Sequence, residues 1–484
     1  MIAPVFGWAE WNAIAPFTVV VVFAMGILLW ETFSGSPDDF ETPLWFSILG
    51  IAGSLLATAL CWSPTANPYG GTFALDGVAV FTNVVCGLAA LLSLLMAPSH
   101  LATIGVRAKE FYPLVLFALS GMMIMGGARD LVVLFLGVEV MSIPAYVLAG
   151  IHRREQRSGE AALKYFVLGA FATSFLLYGI ALFYGATGAT SYAAIAAALK
   201  TAPSLAVLAG IAFMIVALGF KVGVVPFHFW APDVYQGAPT TVTALMAVGI
   251  KAGAVIATAR FFLQAVAGVH LDWAMVLWWI AVLTMTLGNV VAIAQNNVKR
   301  MLAYSSIAHA GYLIAAIVAG TPRAGSAVLF YLLAYAFMNL GAFAVVVALG
   351  AKGEPNELVS DYAGLGLRRP LLAGAMVLFL LSLTGIPPLV GFVGKLYIIE
   401  ALMLSGFPGL AIILILNSVV SGYYYLRLVI EMFMRDPVTE APVLEPRPYL
   451  MVCVGIALLG TLLFGIFPHL ALDFARHSFL ASIG

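Results

Sequence analysis

Charged residues are scarce in this chain of 484 residues: only 9% are Asp, Glu, Lys or Arg, whereas 63% are hydrophobic. Soluble globular domains do not have this composition, because about 25% of their residues are charged. Acidic and basic residues are equal in number, at 22 each, so the chain lacks the basic excess typical of nucleic-acid binding. The mean hydropathy of +1.06 instead favours a protein embedded in a membrane.

Motifs for cofactors are also missing. The three cysteines, Cys61, Cys86 and Cys453, each lie in an apolar run without the spacing of metal ligands. We therefore predict that they are unreactive packing residues. The chain has no Gly-rich nucleotide loop and no haem or iron–sulfur motif. We expect no cofactor and no metal on this chain itself.

The hydrophobic residues form runs of about 20, the length of helix that crosses a bilayer. The N-terminus lacks the positively charged region of a secretory signal, so we interpret the first run as a membrane span. The sequence predicts an all-α integral membrane protein with fourteen transmembrane helices. Their cores lie at about 13–31, 43–62, 73–96, 111–127, 131–150, 161–185, 204–230, 240–267, 273–295, 300–320, 325–350, 371–403, 407–434 and 449–470.

Lysine and arginine predict the orientation. Of the 22, three lie within spans, 14 lie in or beside the odd-numbered connections, and five lie in or beside the even-numbered connections and the C-terminal tail. Positive residues concentrate on the cytoplasmic side of membrane proteins. The odd-numbered connections are therefore predicted to be cytoplasmic. Both termini would then lie on the outer side of the membrane.

Three lysines lie inside predicted spans: Lys221, Lys251 and Lys395. A lysine at this depth costs roughly 2.5–3.5 kcal/mol on insertion scales, so we expect all three to line a hydrated polar axis. Desolvation favours the neutral amine, which suits a proton carrier. The alternative is that a lysine extends its stem and places its charge at the membrane surface. That alternative is stronger for Lys395 than for Lys251, which lies near the middle of its span.

Two predicted spans are interrupted by proline, at Pro226 in the seventh and at Pro387 and Pro388 in the twelfth. Proline cannot donate a hydrogen bond to the carbonyl four residues earlier. The double proline should therefore free the carbonyls of Leu383 and Thr384. Irregular backbone at membrane depth persists only where protein or a water-filled cavity covers it. Both breaks are predicted to border a hydrated pocket.

Two further titratable residues lie within spans. Glu139, in the fifth span, needs a partner; Lys221 is the natural candidate, and a purely structural ion pair is the alternative. His309, in the tenth span, follows Ser305 and Ser306 closely. It could carry a proton near neutral pH, or it could be a packing histidine held by a hydrogen bond.

A weak internal repeat accompanies these residues. The segment Gly223–Pro226 resembles Gly385–Pro388, and the spacing of Glu139 and Tyr146 recurs in the tenth span. Each pair lies five spans apart, and an odd offset reverses the direction across the membrane. We predict two inverted five-helix repeats, each with one broken helix, as in transporters. The predicted units are 1–110 with three helices, the repeats 111–270 and 271–436, and a C-terminal helix in 437–484.

Three stretches carry a resemblance to a known family: GFKVGVVPFHFWAPDVYQGAPT, NVKRMLAYSSIAHAGY and GIPPLVGFVGKLYII. They resemble signature stretches of the antiporter-like subunits of respiratory complex I, the NADH–quinone oxidoreductase. They are similar also to subunits of cation/proton antiporters. The resemblance covers nearly the whole chain and is strongest over 110–430. Among these subunits, the chain length, the fourteen predicted spans and the lysine in the twelfth resemble the bacterial subunit N type.

The resemblance implies roles for the buried residues. Glu139 and Lys221 would form an input pair, Lys251 a central relay and Lys395 the terminal site, with His309 between the last two. It implies proton translocation driven by NADH oxidation and quinone reduction in partner subunits. Those subunits would carry NADH, FMN, iron–sulfur clusters and quinone, and the partners include other membrane-arm subunits but no nucleic acid. The alternatives are a multisubunit cation/proton antiporter, a related redox-driven pump without NADH, or a structural membrane scaffold.

Overall fold

The computed structural model describes residues 7–34, 40–62, 68–199, 203–350, 356–437 and 447–483. These residues are almost entirely helical, as predicted, and the β contacts among them are three isolated bridges. Lys200 and Lys352, two of the residues on which the predicted orientation depends, lie outside the described residues.

Twenty α-helices are described in chain order. They are α1 (Trp8–Ser34), α2 (Glu41–Cys61), α3 (Gly77–Thr103), α4 (Phe111–Gly127), α5 (Leu131–Ala149), α6 (Gln156–Thr187), α7 (Tyr192–Ala198), α8 (Leu205–Val222), α9 (Trp230–Gly237), α10 (Thr240–Leu245), α11 (Lys251–Arg260), α12 (His270–Ile293), α13 (Val298–Val318), α14 (Pro322–Leu349), α15 (Leu365–Arg368), α16 (Pro370–Thr384), α17 (Val390–Leu404), α18 (Pro408–Met434), α19 (Pro448–Ile466) and α20 (His469–Ile483).

Within the described ranges, 12 helical segments are long and apolar enough to cross a membrane. The other two predicted spans coincide with α4, which has 17 residues, and with the pair α16 and α17, which have 15 residues each. The all-α membrane fold is confirmed, and the count of fourteen spans stays a prediction. The predicted span 449–470 ends earlier, at Ile466, and the separate helix α20 follows it.

Both proline-containing spans are broken, as predicted. The helices α8 and α16 end before Gly223 and Gly385, whose φ angles are +79° and +93°. Glycine adopts this left-handed conformation without the steric penalty of a Cβ atom. In both breaks the residue after the glycine donates to the carbonyl five residues earlier, at 3.0 Å. The two breaks thus share one hydrogen-bonding pattern, the Schellman motif.

The eighth predicted span corresponds to the segment Thr240–Ala265, which is buried except at Leu263 and Gln264. It contains a π-helical turn, Met246–Ile250, directly before Lys251. Such turns are rare and frequently occur at functional sites. Together with α13 and α14 this segment forms the centre of the protein, whereas α1 and α2 expose large apolar side chains such as Trp11 and Leu49.

Candidate functional site

One face of α5 carries the first part of the site. Glu139, Ser142 and Tyr146 recur at helical spacing, so their side chains lie on the same side. The buried Lys221 donates hydrogen bonds from Nζ to Ser142 Oγ at 2.8 Å and to Tyr146 OH at 3.1 Å. Glu139 instead accepts a hydrogen bond from Thr173 Oγ1 at 2.8 Å. The expected Glu139–Lys221 pair is therefore not a direct contact, and Lys221 binds Ser142 and Tyr146 of α5 instead.

At the break after α8, side chains from other segments form hydrogen bonds with the backbone. Trp230 donates from Nε1 to the carbonyl of Phe220 at 2.9 Å, and the backbone N–H of Val225 donates to Thr284 Oγ1 at 3.0 Å. These contacts satisfy backbone groups that the break around Pro226 removes from the helix. The irregular segment is thus covered by protein, as expected at membrane depth.

Lys251 forms the second part of the site. Its Nζ donates to the carbonyl oxygen of Ser306 at 2.6 Å and also contacts Ser306 Oγ. Only 3% of the residue is exposed, and the contact ties α11 to α13 in the protein interior. A lysine that reached the membrane surface would not make this contact, so the geometry favours a role inside the protein.

His309 lies one turn beyond Ser306 on α13 and is also buried. Its Nδ1 lies 2.6 Å from Tyr331 OH, and its Nε2 lies 3.4 Å from Tyr425 OH. Tyr425 OH also contacts Ser305 Oγ. Both ring nitrogens of the histidine therefore face hydroxyl groups, which can pass protons as donors and acceptors.

Lys395 occupies the second helix break. Its Nζ donates to the carbonyls of Leu383 at 2.9 Å and Thr384 at 2.8 Å, and to Ser418 Oγ at 2.6 Å. These are the two carbonyls that the sequence predicted Pro387 and Pro388 would free, so that expectation is confirmed. The charged group points into the break, and the surface-seeking alternative for Lys395 is wrong.

Helix α13 joins the lysine sites. The ring of Tyr312 packs edge-on against His309 with 5.3 Å between ring centroids, and Lys395 Nζ lies 4.9 Å from the centroid of the Tyr312 ring. From Ser306 to Tyr312 the helix rises about 9 Å. The structure thus brings Lys251, His309 and Lys395 onto one buried line through α13.

Rings connect the two halves of the site. Tyr146 packs against Tyr165 at 4.8 Å between ring centroids, Tyr165 stacks on Trp230 at 4.6 Å, and Trp230 contacts Tyr235 at 5.8 Å. Helix α9, which carries Tyr235, packs against α13. The line from Lys221 to Ser306 is therefore mainly aromatic, and its tyrosines supply hydroxyl groups.

Sequence reasoning missed several members of the network. Asn289 donates to Tyr312 OH at 3.1 Å and accepts from Tyr424 OH at 3.0 Å, and Ser418, Tyr331 and Tyr425 also contact site residues. A signal existed, because these polar groups interrupt apolar helices. Their partners lie as much as 135 residues away in the chain, so the signal did not show which groups meet.

The part of the chain that the structure describes does not support a metal-binding site. There, His, Cys, Asp and Glu residues form no group of three or more that could hold an ion. The buried lysines donate hydrogen bonds, and an ammonium group repels cations. The arrangement can hold and release protons.

Residues 128–421 match the family described as "NADH:quinone oxidoreductase/Mrp antiporter, TM". A relative from Trichlorobacter lovleyi, named NADH-quinone oxidoreductase subunit N, is 43% identical over 480 residues, which cover 99% of this chain and 98% of the relative. The matched region contains Glu139, Lys221, Lys251, His309 and Lys395.

Solved structures with the same architecture also exist. A chain of respiratory complex I from Thermus thermophilus with bound aureothin is 34% identical, with a TM-score of 0.81, and the match covers 95% of this chain and 98% of that chain. A chain of the Mrp complex from Dietzia sp. has a TM-score of 0.84 at 23% identity, covering 98% of this chain and 99% of that chain. The second likeness concerns the fold alone.

Proposed function

Since this chain belongs to the membrane-subunit family of NADH:quinone oxidoreductases and Mrp antiporters, we propose that it is the proton-translocating subunit N of a bacterial NADH–quinone oxidoreductase. NADH, FMN, iron–sulfur clusters and quinone belong to other subunits of that complex. This chain couples their redox reaction to proton movement across the inner membrane, beside other antiporter-like subunits of the membrane arm.

The observation that carries the proposal is the buried line through α13. Lys251 contacts Ser306, His309 follows one turn later, and Lys395 lies over the ring of Tyr312. A structural scaffold would gain little from buried lysines, because apolar packing usually stabilises as well as buried charge does. A chain of groups that bind and release protons explains why these residues are present.

Electrostatic coupling along this line is strong enough to move protons. Two unit charges about 9 Å apart at an effective dielectric constant of about 20 interact with about 2 kcal/mol. That energy changes the proton-binding constant of a neighbouring group about 30-fold. Arrival of a proton on Lys251 therefore favours release from Lys395, and a charge change near Glu139 would act on Lys221 in the same way.

We further propose the finer organisation predicted from the sequence. Residues 111–270 and 271–436 form two inverted repeats, and the shared hydrogen-bonding pattern after Gly223 and Gly385 supports this division. Both termini lie on the periplasmic side, as the distribution of lysine and arginine favours. Lys221 and Lys251 then serve the first repeat, and Lys395 serves the second.

Replacing Lys395 by Met tests the function. Methionine keeps an unbranched apolar stem but removes the titrating group, so the helix should insert and the complex should assemble. NADH-driven proton uptake by inverted vesicles should fall, together with NADH oxidation if coupling is tight. Lys395→Arg should fail as well, because arginine keeps its proton.

The matched control is Arg435→Met, which removes a positive charge from an exposed position after α18. It should leave pumping unchanged. Normal pumping by fully assembled Lys395→Met would overturn the proposed path. Cation/proton exchange by the purified complex without NADH would favour the antiporter instead.

A further inference from the structure

The carboxylate of Glu139 is bound by α6 and not by the lysine that the sequence suggested. Its partner is the buried Thr173, whose Oγ1 donates to Glu139 Oε1 at 2.8 Å. Lys221 donates instead to two neutral hydroxyl groups, those of Ser142 and Tyr146. The two opposite charges are thus bound to separate hydroxyl groups, and the role of Thr173 in this arrangement is unassigned so far.

Glu139 lies close enough to Lys221 for this separation to matter. Glu139 and Ser142 are three residues apart on α5, so they are neighbours on the helix surface with about 5–6 Å between Cβ atoms. Lys221 Nζ lies 2.8 Å from Ser142 Oγ. A glutamate side chain released by α6 can span one helical turn and accept directly from the ammonium group. The position of the carboxylate therefore depends on the partner that holds it.

Helix α6 fits closely against this face of α5. Gly169 and Thr173 are four residues apart, so they lie on the same face of α6. A Cβ atom on Gly169 would lie 2.2 Å from Tyr146 OH, so the glycine makes room for the tyrosine while Thr173, one turn later, holds Glu139. Helix α6 also packs against α8, which carries Lys221. It therefore contacts both helices on which the two charges lie.

The Thr173 hydroxyl has a second acceptor. Its Oγ1 lies 3.1 Å from the carbonyl oxygen of Gly169 in its own helix. A hydroxyl has one hydrogen to donate, so full donation to the Glu139 carboxylate and full donation to this carbonyl exclude each other. Threonine often donates to the carbonyl four residues earlier in a helix. Release of the carboxylate therefore leaves the Thr173 hydroxyl paired, and the contact can open without stranding that buried polar group.

We propose that Thr173 is a positioning residue for proton transfer at Lys221, because its hydroxyl sets the distance between the Glu139 carboxylate and the Lys221 ammonium group. At this distance the carboxylate favours the protonated lysine through space. Direct contact would bind the proton more tightly, because Coulomb attraction grows as the separation falls, and the lysine would then pass its proton on more slowly. The inference rests on the proposed function and adds to it a residue on α6.

Thr173→Val tests the proposal, because valine is also β-branched but has no hydroxyl. The complex should assemble, whereas NADH-driven proton uptake per assembled complex in inverted vesicles should fall several-fold. Thr173→Ala also removes the hydroxyl and should show the same loss. Thr173→Ser keeps the hydroxyl and should restore uptake to nearly that of the unsubstituted chain.

The matched control is Ser174→Ala on the same helix. Ser174 is exposed, and its hydroxyl donates to the carbonyl of Ala170 in α6 at 3.1 Å. Its substitution removes a hydroxyl next to Thr173 in the chain without touching the Glu139 carboxylate. Proton uptake per assembled complex should be unchanged.

A combined variant separates positioning from a merely structural role. In Thr173→Val with Glu139→Asp, the carboxylate is one methylene shorter and reaches less far towards Lys221. The combined variant should therefore pump at least as well as Thr173→Val alone. If the two residues acted independently, their free-energy effects would add and the two losses would multiply.

Failure of this inference can be distinguished from failure of the proposed function. Normal pumping by assembled Thr173→Val, an equal loss in Thr173→Ser, or multiplied losses in the combined variant would overturn the role of Thr173. If Lys395→Met abolished pumping in the same membranes, the proposed function would stand and only the positioning by Thr173 would be wrong. Normal pumping by assembled Lys395→Met would overturn the proposed path itself.

Discussion

Lys251 and Ser306 meet at 2.6 Å, from the ammonium nitrogen of the lysine to the carbonyl oxygen of the serine, and the serine hydroxyl contacts the same nitrogen. Both residues are buried. The contact gives the buried ammonium group two hydrogen-bond acceptors, and it connects α11 to α13.

Ser306→Ala should reduce proton uptake. The substitution removes the hydroxyl but keeps the carbonyl, so the Lys251 ammonium group loses one charge-assisted hydrogen bond. A bond of this type is worth about 1.5 kcal/mol at the low end, which is about a tenfold change in an equilibrium constant. The measurement is proton uptake per NADH oxidised in inverted vesicles, with Ser326→Ala as the control, because the Ser326 hydroxyl donates to the carbonyl of Pro322 in its own helix. Equal uptake by both assembled variants would contradict the assignment.

Glu139→Gln should impair pumping while the complex still assembles. Glutamine can keep the hydrogen bond from Thr173 but carries no charge, so Lys221 loses the carboxylate that favours its protonated form. Glu139→Asp keeps the charge and should impair pumping less. The measurement is proton uptake per NADH oxidised in inverted vesicles. Equal pumping by Glu139→Gln and the unsubstituted chain would make the carboxylate structural only.

Gly391→Ala should disturb the second helix break. A Cβ atom on Gly391 would lie 1.9 Å from the carbonyl oxygen of Ser382, so α17 must shift away from α16. Overpacking of this kind costs about 1–3 kcal/mol, and we expect reduced assembly and pumping. Gly374→Ala is the control, because its Cβ would meet no heavy atom within 4 Å. Similar thermal stability for both variants would contradict the close packing at the break.

Asp76→Asn should destabilise the protein on the predicted outer side. Burial acts to raise the pKa of the Asp76 carboxyl, but the guanidinium groups of Arg260 and Arg129 hold that pKa below its usual value. Removing the charge leaves Arg260 buried without its partner, which costs about 3–5 kcal/mol. The melting temperature of the purified complex should fall, whereas the exposed Asp272→Asn should leave it unchanged.

The same ion pairs predict a pH dependence. Because the folded-state pKa of Asp76 is lowered, its stabilisation is fully present above the unfolded pKa of about 4. It is lost as the pH falls through the folded-state value. Below pH 4, the difference in melting temperature between the parent and Asp76→Asn should therefore become smaller. If the difference in melting temperature stayed constant below pH 4, the carboxylate would be excluded as the source of the stability.

Both termini should be accessible from the periplasmic side. The excess of lysine and arginine in the odd-numbered connections motivates this orientation. Cysteine-containing tags at either end should react with an impermeant reagent in spheroplasts but remain protected in sealed inverted vesicles. The opposite pattern would reverse the orientation.

The sequence by itself determined the helical membrane architecture, because backbone groups in lipid must be paired within a helix and long apolar runs leave no other solution. It also determined where two helices break. The prolines remove local hydrogen bonds whatever surrounds them, and the free carbonyls of Leu383 and Thr384 followed from their positions alone. Lys395, seven residues after the double proline, was close enough in the chain to be assigned to that break.

Only the tertiary structure decided which polar groups meet. Lys221 contacts Ser142 and Tyr146 instead of Glu139, and Lys251 donates a hydrogen bond to Ser306, 55 residues away in the chain. Such contacts depend on the rotation and depth of each helix. These are set by the packing of apolar side chains from many helices at once, and no local pattern encodes them. Helix breaks are short-range properties of the backbone, whereas the proposed proton path is a long-range property of the packed protein.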